Sequence, residues 1–349
     1  MKKNIREIIS TIKVDCALFT DLKEIFYLTG ASFGGFWFLA VKGKNYAFCS
    51  KMIENQTREF FAGTEVRVCS GLPLYMNVLK VLKENKTDRL FIDPEYMQAL
   101  DFILITENLM QAGIKVDRKI GILDAARAVK EDAEIINLKK ACEITSEVCN
   151  IIKMELIVGV SELDIYYRIL ELFAKNHVSE SFPPIVAFGR NSSNPHHSSS
   201  NDKLNQDDIA VIDIGCTFNG YCSDLTRTYF LGRIDNKRKV VWDTVKRSHE
   251  EVLKGIKAGM PVSWADKTAR GFIRSAGYSD KFTHTTGHGV GIEIHEMPSL
   301  SLDAEGVFLS GMTVTVEPGI YISQEFGVRI EDTILIEKDG CRVLTSAVY

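Results

Sequence analysis

Between two apolar runs, the segment "DIAVIDIGCTFNGYCSDLTRTYFLG" places the dipeptide Asn219-Gly220. No other short stretch constrains this chain as much. A two-residue type I′ turn needs positive φ at both central positions, and Asn followed by Gly meets that need. The turn then sets a register in which Phe218 faces Tyr221, Gly215 faces Asp224 and Asp213 faces Thr226. Strand side chains alternate between faces, so Asp213 and Asp224 share a face, one diagonal step apart. Diagonal neighbours lie roughly 7–8 Å apart at the backbone, a spacing at which two carboxylates can share an ion. Asp213 also stands inside "AVIDIG", a run expected to be buried, where an unpaired charge is costly. A strand-end aspartate bonded to backbone amides is the simpler alternative.

A second hairpin is expected in "TVTVEPGIYISQEFGVRIEDTILIE". A loop centred on Gln324 places Glu317 opposite Glu331, with Arg329 and Thr333 on the face of Glu331. Ile330 and Asp332 take the other face. Between the hairpins runs "THTTGHGVGIEIHE", which holds His284, His288 and His295, three of the seven histidines in the chain. Glycine permits close backbone approach, and imidazole is a frequent metal ligand and proton carrier. Carboxylates with an imidazole suit a hard divalent ion, Mn²⁺ above all. Four carboxylates carry enough charge for two divalent cations, and paired cations make water a nucleophile at neutral pH. The spacings do not fit the EF-hand loop, and no H-E-x-x-H is present.

The rest of the sequence bounds the setting. A chain of 349 residues favours two domains. Apolar and charged fractions of 45% and 25% are those of an ordinary globular protein. A net charge of −4 and the lack of a basic run give no reason to expect nucleic acid. The eight cysteines form no C-x-x-C and read as reduced thiols, so a cytoplasmic setting is expected. The start, "MKKNIREIISTIKVDC", is broken by charge and does not read as a secretory leader, and no run has the length of a membrane span.

The first ~120 residues alternate strand and helix signals, as an α/β layer does. "CALFT" and "IFYLTG" are short apolar runs, "GGFWFLAVKG", "NYAFCS" and "RLFID" read as strands, and "LYMNVLKVLKEN" has the helical period. Asp93 before Pro94 suggests a helix start. The pattern changes at about 120 to 126. Beyond it, Ile135, Leu138, Cys142, Thr145 and Cys149 follow helical spacing, and Ser161 with Glu162 opens a second helix after Gly159. Further helices are expected near 236–257 and 263–276, with antiparallel hairpins between. The expected class is α+β, with domains at 1–122 and 123–349.

The ordered blocks "NPHHSSS", "VIDIGCTFNGYCSDLTRT", "TGHGVGIEIHEMPSL", "MTVTVEPGIYI" and "GVRIEDTILI" resemble the pita-bread metallopeptidases. That family includes Xaa-Pro dipeptidase (prolidase), aminopeptidase P and methionine aminopeptidase. The resemblance spans residue 124 to the end, and the half containing "FYLTG" resembles the smaller N-terminal domain of the first two branches. It implies five metal ligands, Asp213, Asp224, His288, Glu317 and Glu331, with Asp224 and Glu331 bridging two divalent ions, Mn²⁺ or else Co²⁺ or Zn²⁺. It also implies Glu317 as general base, and His196 and His295 as groups facing the substrate carbonyl. Thr226 and Arg329 would orient ligands. The implied substrate is a proline-containing peptide cut before proline, and the implied assembly is a homodimer. Aminopeptidase P activity on longer peptides is the alternative. A non-catalytic binding module or a creatinase-like amidinohydrolase is not expected to keep the ligand set. His284 is left as a loop or core histidine, His177 and His249 as surface residues, and Cys216 and Cys222 as small apolar fillers. One departure is Ser299, which stands where many prolidases carry an arginine for the substrate carboxylate; Arg329 is a candidate substitute.

Overall fold

The structure is a computed structural model that describes residues 14–349 apart from 63 and 72; the charged start of the chain lies outside the described residues. The chain forms two compact units, which divide between Ala126 and Arg127.

The first unit is built on a mixed six-stranded sheet. Its strands are β1 (Cys16–Phe19), β2 (Phe36–Val41), β3 (Lys44–Cys49), β4 (Glu65–Val68), β5 (Arg89–Ile92) and β6 (Lys115–Arg118), in the spatial order β4-β3-β2-β1-β5-β6. "CALFT" supplies β1, but "IFYLTG" lies in helix α1 (Leu22–Thr29). The helix starts there because the Asp21 carboxylate accepts the amides of Lys23 and Glu24, and it stops at Gly30, where φ is 78°. Helices α2 (Glu54–Phe60), α3 (Leu74–Glu84) and α4 (Ala99–Gln111) complete the unit. Val78, Val81 and Leu82 of α3 are fully buried with Leu39, Phe48 and Leu90 of the sheet. Each such side chain stabilises the unit by roughly 1.5–3 kcal/mol. Asp93 does not start a helix. Its carboxylate instead accepts the amides of Glu95, Gly121 and Ile122 and ties the loop after β6 to the end of β5.

The short helix α5 (Asp124–Ala128) straddles the division of the chain. The second unit places two helix pairs against antiparallel sheet. Helices α6 (Asp132–Glu155) and α7 (Glu162–Lys175) cover β8 (Ile185–Phe188), β9 (Asp208–Ile214) and β12 (Leu225–Leu231), with Val148, Ile152, Ile169 and Ile212 between them. Ser161 caps α7 in a box with Asp164, as Ser-x-x-acid sequences do. Helices α8 (Asn236–Gly255) and α9 (Ser263–Ser275) pack on the second group of strands through Val245, Ile273, Val316 and Ile334. Those strands are β13 (His288–Gly289), β14 (Glu296–Ser299), β15 (Thr313–Val316), β16 (Gly319–Ile322), β17 (Phe326–Arg329), β18 (Asp332–Ile336) and β19 (Cys341–Val343). A small sheet of β7 (Ser179–Glu180), β10 (Cys216–Phe218) and β11 (Tyr221–Cys222) closes the first hairpin. Among the described residues no helix is long and apolar enough to cross a membrane.

Candidate metal centre

The first hairpin has the register its turn demands. Asn219 and Gly220 have φ of 49° and 83°, Phe218 pairs with Tyr221, and Asp213 pairs with Thr226. Asp213 lies in β9 and Asp224 just before β12, at 8% and 5% exposure. The Oδ1 atom of each is buried without a hydrogen-bond partner.

The second hairpin turns at Gln324, where φ is 61°. Gly319 pairs with Arg329 in the outer ladder, and Val316 with Asp332 in the inner one. Both pairs obey one register, which sets Glu317 against Glu331 at the break between the ladders. The two hairpins are joined there. The Glu331 amide donates to Thr226 O at 3.1 Å, and Thr226 Oγ1 donates to Glu331 Oε2 at 2.7 Å.

His288 reaches this junction from β13. Two glycines allow it: a Cβ on Gly287 would stand 2.1 Å from Thr315 O, and one on Gly289 would stand 2.3 Å from Met297 O. Backbone passes too close here for any side chain. His288 Nδ1 donates to Gly289 O at 3.1 Å, which leaves the Nε2 lone pair toward the carboxylates. Nε2 lies 3.5 Å from Asp224 Oδ2 and 3.4 Å from Glu317 Oε1. One ligand atom each from Asp224, His288 and Glu331 lies within 4.8 Å of the others. Asp213 and Glu317 flank this group rather than joining it. Asp213 Oδ2 accepts from Arg329 Nη2, and Glu317 Oε1 accepts weakly from Thr315 Oγ1.

Charge makes this arrangement costly without a cation. Burial, and then repulsion from Glu331, Asp213 and Glu317, holds the Asp224 carboxyl well above its usual range. Glu331 is raised by burial and then by Glu317 and Asp213. Glu317 is pushed up to about 7, chiefly by burial. Burial lowers His288 to about 4, so its ring is neutral and able to ligate at neutral pH. Unpartnered carboxylate oxygens around a neutral imidazole fit hard divalent cations.

Further groups ring the centre. His196 and His295 are both exposed, and the His295 ring lies 4.3 Å from that of His288. Burial chiefly disfavours a proton on His284 and on His295, and the nearby His196 adds to it. His197 is turned away: its Nε2 is 2.8 Å from Glu162 Oε2. That buried carboxylate also accepts from Phe188 N, Asn191 Nδ2, and the amide and hydroxyl of Ser200. Glu162 thus fixes the loop on which His196 stands.

Two sequence expectations change, and a third gains detail. His284 lies in a loop, as expected, but it has partners at the site: its Nε2 meets Tyr321 OH at 3.0 Å and its Nδ1 lies 4.0 Å from Glu317 Oε2. Tyr321, which the sequence had not singled out, accepts in turn from Arg329 Nη1 at 2.8 Å. Arg329 is buried and also donates from Nε to Thr226 Oγ1, so it is committed to orienting Asp213 and Thr226 and has no free face for a substrate carboxylate. His249 is 1% exposed rather than on the surface, with Nε2 at 3.2 Å from Asp332 Oδ2. Ser299 is exposed and pairs with His288 across β13 and β14.

Buried carboxylates from two hairpins, closing on a neutral imidazole within two helix-backed layers of sheet, make up a candidate centre of the metallohydrolase type. The chain belongs to metallopeptidase family M24, whose sequence pattern its residues 136–338 match; residues 2–142 match the creatinase/prolidase N-terminal domain. It is therefore a metallopeptidase with the pita-bread catalytic unit and smaller N-terminal unit of the prolidase and aminopeptidase P group. It is 30% identical to a Xaa-Pro dipeptidase of Pyrococcus horikoshii, over 98% of this chain and 96% of that protein. Among solved structures it resembles a Xaa-Pro dipeptidase from Bacillus anthracis, with TM-score 0.93, 31% identity, and coverage of 99% of this chain and 96% of that one. An X-Pro aminopeptidase from Thermotoga maritima gives TM-score 0.88 at 27% identity, with 98% of each chain covered.

Proposed function

We propose that this metallopeptidase hydrolyses the bond before proline, in Xaa-Pro dipeptides and at the N-terminus of short Xaa-Pro peptides. The observation that carries the proposal is the junction of the hairpins, where Asp224, His288 and Glu331 converge between Asp213 and Glu317. Relatives that carry the names Xaa-Pro dipeptidase and X-Pro aminopeptidase support the substrate class. Asp213, Asp224, His288, Glu317 and Glu331 would together hold two divalent ions. Mn²⁺ suits this oxygen-rich set best; Co²⁺ and Zn²⁺ are the alternatives. When bound, such ions polarise the scissile carbonyl and make water a stronger nucleophile.

The chain's own groups supply the rest. Glu317, whose Oε1 lies 3.4 Å from His288 Nε2 at the edge of the carboxylate group, serves as the general base. It takes a proton from the attacking water and delivers it to the proline nitrogen, which as a secondary amine must be protonated to leave. His295 and His196, on the exposed rim, would donate to the carbonyl oxygen as negative charge develops there. Arg329 and Thr226 hold Asp213 and Glu331 in place. Since Ser299 carries no charge and Arg329 is committed elsewhere, no cation at these two positions selects a dipeptide carboxylate. Activity on Xaa-Pro-Yaa peptides should therefore approach that on Xaa-Pro. We assign the enzyme to the cytoplasm, as a homodimer. Comparing Xaa-Pro with Xaa-Pro-Yaa hydrolysis in added Mn²⁺, Co²⁺ or Zn²⁺ tests the reading. Failure to release the N-terminal residue from either would refute it.

A further inference from the structure

Directly behind the carboxylate junction lies a second buried charge. Alternation along β12 turns Thr226 toward the site and Arg227 to the opposite side. Arg227 is 2% exposed, and every nitrogen of its guanidinium is used. Nη1 donates to Thr226 O at 3.0 Å and to Glu331 O at 2.6 Å. Nη2 donates to Asp332 Oδ1 at 2.8 Å, and Nη2 and Nε both donate to Ala347 O, at 3.0 and 3.1 Å. The ring of Tyr349 covers its face, with the centroid 4.6 Å from Cζ. That ring is braced by Trp242, edge-on at 6.1 Å, and by Lys246 at 4.8 Å.

The segment that supplies these contacts is itself pinned. Leu344 N donates to Thr333 O, Thr345 Oγ1 to Asp332 Oδ1, Ser346 N to Ser146 Oγ and Val348 N to Asn150 Oδ1. The acceptors of Nη1 come from different sheets. Thr226 is in β12, beside Asp224, whereas Glu331 immediately precedes β18. Thr226 and Glu331 are also the pair joined on the site side through Thr226 Oγ1 and Glu331 Oε2. Arg227 is thus a cross-bolt between two sheets that each carry half of the carboxylates.

We propose that Arg227 and segment 345–349 form a strap that sets the spacing of Asp224 against Glu331, and so tunes the affinity of the centre for its divalent ion. The proposal rests on the reading of Asp224, His288 and Glu331 as a metal site. Without the Ala347 carbonyl and the Tyr349 ring, the guanidinium loses two hydrogen bonds and one covered face. It cannot lose its proton, so it turns toward water and loosens its hold on Thr226 O and Glu331 O. Metal–ligand distances tolerate only about 0.2 Å, so a small relaxation at the junction weakens binding. Arg227 is a positioning residue in this account, since it touches neither metal nor substrate.

The test uses the full chain, metal-stripped and titrated with Mn²⁺ alone by calorimetry, with circular dichroism as the check of folding. Tyr349→Ala and deletion of residues 347–349 should weaken Mn²⁺ binding about tenfold or more, within the range typical of lost ligand supports. Tyr349→Phe, which keeps the ring, should bind within about twofold of wild type. At saturating Mn²⁺ the Tyr349→Ala enzyme should regain kcat and KM within about twofold of wild type, because mass action refills the site. Folded Tyr349→Ala protein with wild-type Mn²⁺ affinity would overturn the strap alone. Equal weakening by Tyr349→Phe and Tyr349→Ala would do the same, because the ring would then not be the cause. Wild-type protein that takes up no metal would overturn the site reading and the strap with it.

Discussion

Metal uptake by this enzyme should be strongly acid-sensitive, and the structure fixes the reason. With Glu317 at about 7, roughly nine-tenths of it is protonated at pH 6 and one-tenth at pH 8 in the metal-free protein. A ligand must shed its proton to bind. Glu317 alone therefore makes the apparent affinity for Mn²⁺ about tenfold weaker at pH 6 than at pH 8. Asp224 and Glu331, both raised above the ordinary carboxylate range, steepen this dependence. His288, at about 4, has almost no proton to lose in this window. Stability follows the same linkage. Glu317 rises from 4.5 in the unfolded chain to about 7, so the folded state binds more protons between those values. The stabilisation it gives is fully present below pH 4.5 and is lost as pH rises through 7, about 3 kcal/mol in all. Histidines lowered by burial act in the opposite sense, and their effect is complete once the unfolded imidazole is neutral. Calorimetric titration of stripped protein in buffers of different ionisation enthalpy counts the protons directly. About one proton or more should leave per protein at pH 6 as the site fills, falling toward pH 8. Proton release near zero at pH 6, or affinity flat from pH 6 to 8, would show that the carboxylates are already ionised and refute the reasoning.

Other expectations are sharper in single variants. Glu317→Gln should keep the circular dichroism spectrum and lower kcat by about 10²-fold or more on Xaa-Pro peptides; retention of turnover would remove Glu317 from proton transfer. Glu162→Ala strips the acceptor from Phe188 N, His197 and Ser200 and leaves buried donors unpaired. It should lower stability by about 3 kcal/mol or more in denaturant unfolding and reduce kcat as the His196 loop loosens. Gly287→Ala drives a Cβ to 2.1 Å from Thr315 O, so it should destabilise by about 1–3 kcal/mol and weaken Mn²⁺ binding through His288; wild-type affinity would mean that β13 shifts freely.

The sequence carried the site's register because local turn chemistry controls it. Asn219-Gly220 admits few alternatives, and a ladder that starts at Phe218 and Tyr221 must bring Asp213 to Thr226. Gln324 was a weaker marker, because the sequence does not set the loop length there; the structure settles it by pairing Ile320 with Val328 and Ile322 with Phe326. What could not be read were the partners of residues far apart in the chain. His284 gains its place from Tyr321, and Tyr321 from Arg329; no spacing in "THTTGHG" announces either contact. Asp93 looks like a helix cap beside Pro94, but the amides of Gly121 and Ile122 claim its carboxylate. His249 was legible in principle, since it falls on the stripe of Val241, Val245 and Val252 that faces the core of α8. Arg227 gave no such sign: a charged residue in a strand reads as solvent-facing until the residues near Tyr349 are seen to cover it.

The most direct test of the account is to offer the Mn²⁺-loaded protein matched peptides that differ only at the second residue, proline or alanine, and to measure release of the first residue with and without chelator. The account predicts rapid release from the proline peptide, lost on chelation and regained with Mn²⁺, and little release from the alanine peptide. Equal cleavage of both, or cleavage of the proline peptide that survives metal removal, would contradict it.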